Sequence, residues 1–221
     1  MTTRQAVLTR LIESIVGISS DRPVRVAVDG PDAAGKTTLA DELAAALSGI
    51  RPAIRARVDD YIRPADERPQ SPGVPAAGYF DDNFDLAALV AGYLIPLGPG
   101  GDRSYRAADG STGLAPYDAV LLVDGVFLLQ DRLRAYWDVA VYLHIGEDEM
   151  LRRGVLRDRD SYGGEDAARG MFETQFIPGW RAYQAQHDPA AAATVVIDHA
   201  DPFHPVIRPG SAGEGNVGRQ R

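Results

Sequence analysis

The stretch Val24-Arg-Val-Ala-Val-Asp29-Gly30-Pro-Asp-Ala-Ala-Gly35-Lys36-Thr37-Thr38 decides how this chain folds. Val24 to Asp29 is a short β-rich run, and Thr37 to Leu47 is rich in alanine and leucine, so the order is strand, loop, helix. The loop completes the pattern Gly-x4-Gly-Lys-Thr, which in this context cradles phosphates. Gly30 and Gly35 let the backbone bend so that successive amides point at phosphate oxygens. The helix that opens near Lys36 adds its positive N-terminal end. Pro31, Asp32, Ala33 and Ala34 form the body of the loop. Lys36 is expected to reach the β and γ phosphates of a nucleoside triphosphate, Thr37 to ligate Mg²⁺, and Thr38 to touch the α phosphate.

Further apolar runs that end in polar residues occupy 54–59, 119–124, 139–145 and 194–198. Their continuous apolar character suits parallel strands covered on both faces. Between them, 84–94, 131–137, 148–157 and 166–186 read as helices, and Val7, Leu8, Leu11, Ile12, Ile15 and Val16 give residues 4–17 one apolar helical face. Alternating strand and helix predicts an α/β fold: a doubly wound parallel sheet of the P-loop NTPase type, with helices on both faces and a small lid. Two segments break the alternation. Residues 63–78 and 96–113 are dense in proline and glycine and read as binding loops, lids or plain surface loops. One domain is expected over 1–208, with a substrate-binding insertion at about 60–113, a lid at about 152–165, and a disordered tail at 209–221.

The composition narrows the partners. With 221 residues, 45% of them hydrophobic, the chain is long enough to bury a sizeable core. A formal net charge of −8 argues against broad nucleic-acid or anionic-membrane binding, so a small-molecule partner is expected. The chain has no cysteine, which excludes disulfides, thiolate metal sites and cysteine nucleophiles. Arg10, Glu13 and Ser14 interrupt the apolar stretch near the N-terminus, no signal-cleavage pattern follows, and the expected location is the cytoplasm.

Outside the loop, three groups carry chemistry. Asp124 ends an apolar run and precedes Gly125, so it should emerge at the C-terminal edge of the sheet, where open α/β sheets bind ligands, as a metal-holding carboxylate. Asp59 closes another run at that edge and is the candidate base that would orient an acceptor hydroxyl and take its proton. Arg153 and Arg157 lie four apart on one helix face. They either close over a transferring phosphate or pair with the aspartates around them. His144, His187, His199 and His204 have no metal-ligand spacing and read as structural or surface residues. No Gly-x-Ser-x-Gly elbow supports serine hydrolase chemistry.

Taken in order, the phosphate loop, Val58-Asp59-Asp60-Tyr61, Asn83-Phe84-Asp85, the Asp-Gly-Val-Phe run at 124–127, Arg153-Gly-Val-Leu-Arg157-Asp158 and Val195-Val-Ile-Asp198 resemble the uridine kinase family, within the group that includes phosphoribulokinase and bacterial pantothenate kinase. The resemblance implies an ATP- and Mg²⁺-dependent nucleoside kinase that acts on uridine or cytidine. It implies Asp59 as base and magnesium-linked group, Asp124 in place of the family's glutamate, and lid arginines at 153 and 157. On the acceptor side it implies Asp59, Tyr61, Tyr105 and Arg106, with Tyr105 stacking near the base and Asp81 or Asp82 standing in for the ribose-binding aspartate. Homo-oligomers are frequent in such kinases. Three departures bear on the acceptor: Tyr61-Ile62 replaces Phe-Tyr, Tyr79 falls where the ribose aspartate is expected, and Ser161-Tyr-Gly-Gly164 replaces the arginine pair of the lid tip. Pantothenate, ribosyl nicotinamide and sugar phosphates therefore remain as acceptors. A nucleotide-dependent switch is the reading from another class, although no guanine-selecting Asn-Lys-x-Asp occurs.

Overall fold

The computed structural model describes residues 3–64, 66–68 and 83–208. Six strands form one sheet in the order β2-β5-β1-β6-β7-β8, where β1 is Val24–Asp29, β2 Ala53–Arg57, β5 Val120–Asp124, β6 Val139–His144, β7 Val195–Asp198 and β8 Val206–Arg208. The first five run parallel and β8 pairs antiparallel with β7. β1 and β5 are buried at every position, as continuous apolar runs between two helical layers should be.

Alternation along each strand sorts the side chains into two cores. Val24, Val26, Val28, Val120, Leu122, Val141 and Leu143 face one layer with helices α1 (Thr3–Val16) and α2 (Lys36–Leu47). Ala27, Leu121, Val123, Ala140 and Tyr142 face the other, against Leu89, Leu94, Phe127 and Tyr183. In α1 the buried positions are Val7, Leu11 and Ile15, one per turn. Registers Val28↔Asp124 and Arg57↔Asp124 bring the C-terminal ends of β1, β5 and β2 level, so the loops that follow them meet at one edge.

The parallel α/β reading of the sequence holds, with local differences. The run predicted as strand through Asp59 stops at Arg57, and Val58–Tyr61 forms a 3-10 turn that carries Asp59 and Asp60. The helix predicted over 84–94 begins at Leu86, where the Asp85 carboxylate caps it by accepting from the Ala88 N–H at 3.0 Å, and it loosens into a π-turn at Val90–Leu94. The helix predicted at 131–137 is a single turn, Asp131–Arg134. The helix predicted over 148–157 is longer, Glu147–Tyr162, and is ended by Gly163 in the left-handed conformation at φ 82. The helix read over 166–186 is interrupted by a π-turn at Phe172–Phe176, between Glu165–Met171 and Ile177–His187.

Within 96–113, read as irregular, β3 (Ser104–Arg106) pairs with β4 (Thr112–Leu114) in a small hairpin. Strands of three residues are too short for an alternation pattern to register. Gly113 is required there, because a Cβ at that position would lie 2.5 Å from the Tyr105 ring. Among the described residues no helix is long and apolar enough to cross a membrane. The predicted tail at 209–221 and much of 63–78 lie outside the described residues.

Candidate active site

The phosphate loop sits where β1 meets α2. Gly30 has φ 151, and a Cβ on it would approach the Leu143 carbonyl to 2.5 Å, so only glycine lets the loop leave β1 against β6. Ala33 at φ 60 and Gly35 at φ 90 are left-handed and curl the loop. Lys36 Nζ donates to the Pro31 carbonyl at 2.8 Å and closes the loop on itself.

Asp124 is 2% exposed and both of its oxygens are engaged. The Thr37 hydroxyl donates to Oδ2 at 2.6 Å, and Arg55 donates to Oδ1 at 2.7 Å. Arg55 also reaches Asp41 on α2 at 2.9 Å and the Leu122 carbonyl at 3.0 Å. This cation on β2 stands beside the metal-type carboxylate, and sequence reading passed over it. Its only signal is a charged residue at the third position of a five-residue strand.

Asp29 was likewise read only as a strand end, yet its carboxylate is fully buried beneath the loop. It accepts from Gly30 N–H at 2.7 Å, Leu129 N–H at 3.0 Å and the Tyr183 hydroxyl at 2.5 Å. Burial pushes its pKa up to about 6, opposed by the Tyr183 and Gly30 hydrogen bonds and by the charge of Lys36.

A cavity of about 420 Å³ opens over the loop and is lined by Asp32, Lys36, Thr37, Asp59, Asp124 and both lid arginines, among others. Burial raises the Asp59 pKa, Lys36 and Arg157 pull it back, and Asp32 and Asp124 push it further up. A second cavity of about 560 Å³ shares Asp32, Asp59, Val126 and Arg157 with the first and continues to Asn83, Tyr162, Gln175 and Phe176. Asp59 thus forms part of the wall of both.

Arg153 and Arg157, expected as lid arginines, line the cavity over the loop and are held by local partners. Arg153 donates to Glu149 at 2.5 Å and to the Ala200 carbonyl at 2.7 Å. Arg157 forms a two-pronged pair with Asp158 at 2.6 and 2.7 Å, and 56% of its side chain is exposed. Tyr61 and Arg106 line a third cavity of about 580 Å³ with Asp60, Arg63 and Asp85, which shares Ile62 with the second. The Tyr61 hydroxyl is buried there without a hydrogen-bond partner. Tyr105 stacks on Tyr93 with ring centroids 5.4 Å apart. Asp81 and Asp82 lie outside the described residues.

The chain is 30% identical over 149 residues to uridine-cytidine kinase B of Dictyostelium discoideum, a match that takes in 63% of this chain and spans 60% of that relative's length. A possible uridine kinase from Bacillus stearothermophilus superposes with a TM-score of 0.63 at 20% identity, covering 87% of this chain and 97% of that one. A candidate fructose transport system kinase from Silicibacter gives 0.65 at 23% identity, over 85% and 96% of the two chains. No protein-family model matches.

The fold is that of the P-loop kinases. In sequence the chain resembles the uridine kinase family.

Within this P-loop kinase fold the described residues contain no group of three or more His, Asp or Glu arranged to hold a metal alone. Magnesium needs no such cage, since it binds through one or two carboxylates together with the phosphates of a nucleotide. The Thr37 hydroxyl and the Asp124 carboxylate, both hard oxygen donors in contact at the mouth of the loop, fit that requirement.

Proposed function

We propose that the protein is an ATP-dependent kinase that transfers the γ-phosphate to a hydroxyl of a small metabolite, with the 5′-hydroxyl of uridine or cytidine as its acceptor. The observation that carries this reading is Asp59, a carboxylate shared by the phosphate-loop cavity and the adjoining cavity. That is where a base must stand to serve an acceptor hydroxyl aligned with a bound triphosphate.

The loop amides and the α2 N-terminus would hold the phosphates, and Lys36 would leave the Pro31 carbonyl for the β and γ phosphates. Mg²⁺, held by Thr37 and Asp124, would neutralise charge on the β and γ oxygens. Asp59 takes the acceptor proton as the acceptor oxygen bonds to the γ phosphorus and the bond to the β-phosphate oxygen breaks, leaving ADP. Arg157 needs only to exchange Asp158 for the γ-phosphate to face the developing charge. The Dictyostelium relative supports a pyrimidine nucleoside as acceptor.

The experiment is ADP release in the presence of ATP and Mg²⁺ with separate acceptors: uridine, cytidine, pantothenate, a ribosyl nicotinamide and sugar phosphates. Strong stimulation by uridine or cytidine is expected. Slow release indifferent to every acceptor would point to a nucleotide-dependent switch and sink the kinase reading. A second acceptor class is favoured by one observation: the third cavity, though largely apolar, carries the cations Arg63 and Arg106, which suit a phosphate- or carboxylate-bearing acceptor. Stimulation by a charged acceptor alone would keep the kinase and replace the nucleoside.

A further inference from the structure

The phosphate loop is held from behind by a residue that the catalytic reading does not use. His199 follows β7, is 3% exposed, and packs so closely on the loop that a Cβ on Gly35 would lie 3.0 Å from its ring. Its Nδ1 is 2.7 Å from the Ala34 carbonyl oxygen and its Nε2 is 3.2 Å from Arg4 Nη1. A guanidinium has no acceptor, so Nε2 must accept from Arg4. The single ring proton therefore sits on Nδ1, and the ring donates to Ala34.

Arg4 cannot easily turn away. It donates to both oxygens of Glu42 at 3.1 and 2.8 Å and to the Pro202 carbonyl at 2.6 Å. Burial lowers the His199 pKa, Arg4 and Arg153 add to that, and the Ala34 carbonyl and Glu42 oppose it. A neutral ring with a fixed tautomer results.

A trans peptide is planar, and its C=O and N–H point in opposite directions. A carbonyl of Ala34 held toward His199 therefore turns the N–H of Gly35 away from His199. Gly35 itself lines the phosphate cavity, and among the described residues no backbone carbonyl accepts from that N–H. The left-handed φ of Gly35, 90, at a residue with no Cβ to bar other values, makes this peptide a candidate to flip without such a hold.

We propose that His199 is a positioning residue for nucleotide binding: by fixing the Ala34–Gly35 peptide it keeps the Gly35 N–H aimed at a phosphate of a bound nucleoside triphosphate. This rests on the nucleotide reading of the loop. Leucine and asparagine have nearly the same shape, and only asparagine, whose amide nitrogen falls where His Nδ1 stands, can donate to Ala34.

Calorimetric titration with a non-hydrolysable ATP analogue and Mg²⁺ tests it. His199→Leu should weaken analogue binding by about tenfold, with kcat at saturating ATP unchanged, whereas His199→Asn should stay within about threefold of the unsubstituted protein. Equal losses in the two variants, or none in His199→Leu, would overturn the proposal. Should His199→Leu fail to fold, nitrogen NMR of the unsubstituted protein decides. A proton on Nδ1 of His199 supports the inference and a proton on Nε2 defeats it. Absence of analogue binding by the unsubstituted protein would instead bring down the nucleotide reading beneath it.

Discussion

Around Gly35, polar side chains are tied to protein partners: Lys36 to Pro31, Asp124 to Thr37 and Arg55, His199 to Ala34 and Arg4. Around Tyr61 the hold is looser: Arg63 pairs with Asp85 at 3.7 Å, but the buried Tyr61 hydroxyl has no partner and the exposed Arg106 pairs with nothing among the described residues. On the proposed reading the first is the donor side, a cradle closed by its own hydrogen bonds, and the second is the acceptor side, where polar groups stay open. The two differ in building material as well. The cradle is backbone at the edge of a parallel sheet, where one loop conformation serves every nucleoside triphosphate. The acceptor side is made of a 3-10 turn, a π-turn and a short hairpin, elements whose side chains set what fits.

Substitutions can break this contrast or sharpen it. Lys36→Ala should have the largest effect, weakening nucleotide binding and lowering kcat/KM by about a thousandfold or more, because both the γ-phosphate and its developing charge lose their nearest cation. Near-normal turnover in that variant would abolish the donor side as drawn. Asp59→Asn should lower kcat by about a hundredfold to ten-thousandfold while calorimetry finds unchanged affinity for the ATP analogue. On the proposed reading, the unsubstituted protein should gain activity with rising pH as Asp59 loses its proton, at a pH above the ordinary aspartate range because burial raises its pKa. That limb should vanish in Asp59→Asn.

Tyr183→Phe tests the foundation beneath the cradle. Folding already raises the Asp29 pKa to about 6, so the charged carboxylate costs stability above that pH and the cost fades as pH falls toward the unfolded value. Without the tyrosine hydrogen bond the pKa should rise further, and urea titrations should show a loss of about 1 to 3 kcal/mol at pH 8 that shrinks at pH 5. A loss independent of pH would mean that the hydroxyl matters only through Leu129, whose N–H donates to it at 2.9 Å. Arg106→Ala should have the smallest effect, a change in acceptor KM of about threefold to tenfold with ATP affinity untouched, as befits an exposed single contact. A change in ATP affinity there would show that the two sides are not separable.

The same contrast explains what the sequence disclosed. The strand-loop-helix around Gly30 to Thr37 was legible because a phosphate cradle needs glycine and lysine at fixed spacing. Asp124 and Asp59 were legible as acids closing apolar runs, although Asp59 stands on a turn rather than on the strand assigned to it. Arg55, Asp29 and His199 were not legible as site residues. Each acts through a contact with an element far along the chain, 69, 154 and 165 residues away for Asp124, Tyr183 and Ala34, and no local pattern marks it. Tyr105 stacks on Tyr93 because a hairpin too short to announce itself brings it back against the π-turn.

The register of the central strands acts as a ruler for the chemistry. Val28, Asp124 and Arg57 lie side by side across three strands, and Asp124 shares the face of Val120 and Leu122, which pack toward α2. A slip of one residue in β5 would move the carboxylate by about 3.3 Å and turn it to the opposite face of the sheet, away from Thr37. Removing one residue from β5 would thus preserve its apolar composition while disconnecting the metal-type carboxylate from the phosphate loop, which makes strand length, as much as residue identity, a determinant of the site.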